Sequence, residues 1–60
     1  MKHITARLEM INQRGKIEYG RSMYGEDVEI GDLVKYFFDR MPDYVDQSRC
    51  SLRISQVQRY

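Results

Sequence analysis

The chain holds one cysteine, Cys50, one proline, Pro42, and no tryptophan in 60 residues. A single cysteine excludes an internal disulfide, and His3, the one histidine, leaves no Cys/His set for a structural zinc. The longest apolar run, Tyr36-Phe37-Phe38, falls far short of the roughly 20 residues a membrane-spanning helix needs. Residues 1–7 lack the apolar stretch of an export signal. With no such signal and one unpaired thiol, the expectation is a cytosolic protein, read as a complete small gene product. Charge of one sign is also missing: ten bases against nine acids give +1. The four glycines, at 15, 20, 25 and 31, are scattered, so no phosphate-cradling loop is written here, and no calcium-loop spacing either. No cofactor or metal is expected, and no enzymatic activity.

The stretch Ile30–Met41 is the strongest signal. Apolar side chains at 30, 33, 34, 37 and 41 fall on one stripe of a helix, which Phe38 widens. Pro42 disfavours helical geometry at Met41 and cannot continue the ladder. Two N-caps fit the start, Asp27 or Gly31, and the spacing does not choose between them. Tyr36 falls on the water-facing side.

Before the helix, residues 2–11 alternate, with Ile4, Ala6, Leu8 and Met10 on one face and His3, Thr5, Arg7, Glu9 and Ile11 on the other. Asn12–Gly15 supplies turn residues. Ile17, Tyr19 and Met23 resume the alternation, with Glu18, Gly20, Ser22 and Tyr24 opposite, so the two runs predict a hairpin. Gly20 suggests a bulge or an edge position. Gly25–Asp27 breaks the second run. Residues 43–49 are polar apart from Tyr44 and Val45, which can fold back on the helix end. Leu52 and Ile54 begin a third strand, irregular through Val57 to Tyr60.

Strand, strand, helix, strand gives a single α+β domain of ββαβ type. Placing strand three beside strand one makes an all-antiparallel sheet of order 2-1-3, with the strand free of glycine and proline in the centre; order 1-2-3 would need a parallel crossover. The expected core is Ile4, Ala6, Leu8, Met10, Ile17, Tyr19, Leu33, Val34, Phe37, Met41, Leu52 and Ile54. A core this small rarely supplies more than roughly 3–5 kcal/mol, and with two open sheet edges that favours a homodimer.

Charge is uneven along the chain: residues 1–24 sum to +3, 25–48 to −5 and 49–60 to +3. Acids crowd the helix start, where the macrodipole favours them. Catalysis has little to stand on. His3 has no partner that would make it a base, and Cys50 has only Arg49 beside it to lower its pKa. Five tyrosines and four methionines are many for this length, and Tyr, Met and Arg are enriched at interfaces. The leading reading is a small regulator or inhibitor that occupies a larger protein, with Arg7, Tyr24, Tyr36 and Arg53 as partner-binding residues. The alternative is a nucleic-acid binder using Arg7, Arg53 and Tyr24 on the open sheet face. Glu9 and Glu18 on that face, and the absence of any RNA- or DNA-binding motif, count against it.

Overall fold

The computed structural model of the chain describes residues 2–60. Among them are three strands, β1 (His3–Asn12), β2 (Ile17–Glu26) and β3 (Cys50–Arg59), one helix, α1 (Ile30–Asp39), and a single 3-10 turn at Gln47–Arg49. The sheet is antiparallel in the order β2-β1-β3, and α1 lies across β1 and β2. The ββαβ arrangement expected from the alternation is the one formed.

β1 is the centre because it can be buried on its inner face along its whole length. Ile4, Ala6, Leu8 and Met10 form the floor of the core, and Leu33 and Phe37 descend onto it from α1. Tyr19 closes the side, its ring centroid 5.2 Å from that of Phe37. The hairpin turns on Asn12, whose backbone carbonyl accepts from Gly15 N at 2.9 Å while its side-chain Oδ1 accepts from Arg14 N and Lys16 N. Gly15, at φ 80°, takes the left-handed position.

β2 runs past the expected break. Gly25 still pairs with Ile4 and Glu26 with His3, and the strand stops only at Asp27, which adopts φ 55°. Asp27 is held there twice: its N–H donates to Lys2 O at 2.7 Å and its Oδ1 accepts from Lys2 N at 3.0 Å. Gly25 is needed for a different reason. A Cβ there would collide with Val28 and stand 3.0 Å from Leu33, so the missing side chain lets the helix lead-in cross tightly over β2. The N-cap of α1 is Glu29, neither Asp27 nor Gly31, and Asp32 Oδ2 accepts from Glu29 N at 2.9 Å. The helix ends at Asp39 rather than Met41, two residues further from Pro42 than the stripe predicts.

Two members of the expected core are outside it. Ile17 is 50% exposed. Met10 pairs with Tyr19 but Ile11 with Ile17, so Glu18 is an extra residue in β2, and this bulge turns Ile17 to the face of Ile11. Ile54 faces inward beside Leu8 yet is 41% exposed, because α1 packs mainly on β1 and β2. Val45, from the segment after α1, is buried at 5% exposure. It folds back into the core as its apolar character allows, while Tyr44 points to water.

Candidate binding face

The face of the sheet away from α1 carries three of the four expected binding residues. Register sets them: Thr5 lies opposite Tyr24 on β2 and Gln58 on β3, Arg7 opposite Ser22 and Ser55, and Glu9 opposite Gly20 and Arg53. Pairs that oppose one another share a face. The face is therefore built of rows of three residues, one from each strand, with Gly20 leaving the β2 place in the Glu9 row without a side chain.

Glu9 organises the middle. It is the one buried charged residue among those described, at 7% exposure. Arg53 donates from both Nε (3.0 Å) and Nη2 (2.7 Å) to its Oε1, and Arg7 Nε stands 3.5 Å from its Oε2. The Arg53 hydrogen bonds, helped by the charges of both arginines and opposed by burial, hold the Glu9 carboxyl below the ordinary glutamate range. Gly20 makes this packing possible: the Arg7 guanidinium comes within 2.8 Å of where a Cβ on Gly20 would be, so Arg7 lies down over β2. Its Nη1 also donates to Ser22 Oγ at 3.4 Å. The two arginines expected on the open face thus share one carboxylate.

Tyr24 stands one row further along, 56% exposed. Its hydroxyl donates to Glu26 Oε1 at 2.8 Å, and His3 Nδ1 lies 2.5 Å from the Tyr24 hydroxyl oxygen and 3.9 Å from Glu26 Oε1. Donation to Glu26 raises the Tyr24 pKa, so the phenol keeps its proton. The alternation did not reveal Glu26 as a partner because Gly25–Asp27 reads as a break. Between Tyr24 and the arginine row lies an open cleft of about 620 Å³, lined on this side by Thr5, Arg7, Ser22, Tyr24 and Gln58.

The fourth expected residue is not part of this face. Tyr36 is exposed on the outer side of α1, in the other layer of the molecule. Whereas Tyr36 is exposed on α1, as its place off the helical stripe predicts, Glu18 departs from expectation. The bulge turns it away from the open face, where its Oε2 accepts from Asn12 Nδ2 at 3.2 Å. Cys50 is affected by the same carboxylate. Burial first, then the charges of Glu18 and Asp46, push its pKa up, opposite to the lowering expected from Arg49. Arg49 is turned instead to Asp46, with Nε at 3.5 Å from Oδ2.

No group of His, Cys, Asp and Glu among the described residues is placed to hold a metal, and no helix among them is long and apolar enough to cross a membrane. Comparison with protein-family models, with curated proteins and with solved structures found no match.

Proposed function

We propose that this chain is a non-enzymatic, cytosolic protein-binding regulator or inhibitor that acts by occupying a larger protein, with Tyr24 as the anchor of its open sheet face. The observation that carries this reading is the sharing of Glu9 by Arg7 and Arg53. With one buried carboxylate between them, the two arginines keep a single net positive charge, which is little with which to release counterions along a phosphate backbone. What the face does offer is a large exposed ring held in place by its hydroxyl, amid hydroxyl and amide groups. Interfaces take most of their energy from a few such anchors.

The same small core and open edges support a homodimer. We assign it to the β2 edge, since β3 against β3 would set arginines against arginines. The nucleic-acid reading is the weaker one for the reason just given.

The test is capture of a partner from the source extract. Tyr24→Ala should abolish capture with the fold intact, and nuclease should change nothing. Capture that survives Tyr24→Ala but is lost on nuclease treatment, or on Arg7→Glu, would reverse the choice between the two readings. Tyr36→Ala, on the opposite layer, serves as the comparison and is expected to have a smaller effect.

A further inference from the structure

We infer that the outer edge of β3 receives an extended, acidic segment of a partner protein as a fourth strand, with apolar residues of that segment packing on Ile54 and Val57. The inference rests on the reading that the chain binds a protein, but its ladder runs along Cys50–Ser55 and does not use the Tyr24 ring; Val57, beyond that ladder, borders the cleft that Tyr24 also lines.

Three observations converge on this edge. The first is an uncovered apolar strip. Leu8 pairs with Ile54 and Ile4 with Arg59, and the ladder gains one residue of β3 in between, so Val57 faces the helix side together with Ile54. Their neighbours Leu8 and Ala6 are buried, yet Ile54 is 41% and Val57 40% exposed, because α1 packs mainly on β1 and β2. The space beside them is open on the side where a further strand would lie.

The second is the edge itself. β3 is ten residues long and pairs only with β1, so its outward N–H and C=O groups have no strand partner among the described residues. Gln56, at φ 53°, marks the bulge and divides this edge. The new ladder is therefore expected along Cys50–Ser55, with Val57 as an apolar contact beyond it.

The third is charge, which selects the occupant. From Gln47 to Tyr60 the chain has Arg49, Arg53 and Arg59 and no acid; Arg49 is turned to Asp46 and Arg59, opposite Ile4, lies on the helix side, so Arg53 supplies the charge on the open-face side of the ladder. Arg53 gives Nε and Nη2 to Glu9, but its side chain remains 56% exposed, with Nη1 free to donate. A second copy of β3 would meet this edge with like charge. A strand alternating apolar and acidic residues would meet it with complementary charge on one face and apolar contact on the other, which is how strand addition combines affinity with specificity.

Three fluorescent peptides about as long as β3 test this by anisotropy: alternating Val and Glu, alternating Val and Lys, and a Val-block/Glu-block peptide with the composition of the first. The alternating acidic peptide should bind at least about tenfold more tightly than the others, a difference of roughly 1.4 kcal/mol. Replacing both apolar residues (Ile54→Ser with Val57→Ser) should remove that advantage, and Tyr24→Ala should leave it unchanged. Both positions are exposed, so the double variant is expected to stay folded, which circular dichroism checks. Equal binding of the block or lysine peptide would overturn the proposal, as would loss on Tyr24→Ala. So would a concentration-dependent mass that the double variant abolishes, since the occupant would then be a second copy. If no peptide binds, the β3 proposal fails, whereas partner capture that depends on Tyr24 leaves the wider function standing.

Discussion

Glu9 shows how one residue can change the meaning of its neighbours. In the sequence it is one of two acids expected on a basic face; in the fold it is the buried partner of Arg53 and Arg7. Its carboxyl titrates lower in the folded chain than the ordinary value near 4.3 expected when unfolded. The folded state therefore binds fewer protons in that range. The stability Glu9 contributes is complete above the unfolded value and is lost as pH falls through the lower folded one. Asp46, held low chiefly by the Ser48 hydroxyl and also by its N–H and by Arg49, acts in the same direction. Thermal denaturation is expected to show a midpoint that is flat near neutrality and falls below about pH 4. Glu9→Gln should have a lower midpoint at pH 7 and a shallower acid fall; an acid limb identical to the parent's would show that Glu9 is not one of its sources. At the same scale, two glycines should respond in opposite ways. Gly31 has open space around it inside α1, so Gly31→Ala should stabilise by up to about 1 kcal/mol. Gly25→Ala should destabilise, since the Cβ meets Val28 and Leu33. Urea midpoints compare the two directly.

Among the elements, α1 holds the largest fully buried side chain, Phe37, seated over Leu8 and Met10 and against Tyr19. Truncating a buried phenylalanine costs roughly 3–5 kcal/mol, about the whole stability a core of this size provides. Phe37→Ala is therefore expected to populate the unfolded state without denaturant. A cooperative unfolding transition retained in that variant would mean that β1 and its hairpin carry the fold without the helix. β3 is the opposite case: it contributes ladder hydrogen bonds and the half-buried Leu52 but leaves Ile54 and Val57 in water. Its place in the fold is secured by backbone pairing to β1 more than by burial.

For the molecule as a whole, one helix on three long strands makes a thin body of 38 × 20 × 13 Å with both sheet edges open. Association is the natural completion of such a shape. Light scattering after gel filtration should give the mass of two chains, unchanged by Ile54→Ser with Val57→Ser if β2 forms the contact. The mass of a single chain at micromolar concentration would leave both edges to foreign partners and remove the dimer.

The sequence by itself determined the elements and their order. Alternation at positions 4, 6, 8 and 10 and the helical stripe at 30, 33, 34 and 37 are local patterns, and each needs only its own neighbours to be read. From the order of elements, the sheet 2-1-3 followed by economy of connection. The tertiary structure decided everything that depends on residues meeting from distant parts of the chain. Glu18 became an extra residue only because β2 had to match β1 through a turn of fixed geometry, and that turned Ile17 outward. Glu29 became the N-cap because Asp27 turns at φ 55° and Glu29 itself is extended at φ −98°, ψ 167°, so helical geometry begins only after them. Glu9 met Arg53 across 44 positions. The helix, packed mainly on β1 and β2, left Ile54 and Val57 largely facing water. Periodicity assigns a side chain to a face, but only packing decides what covers that face.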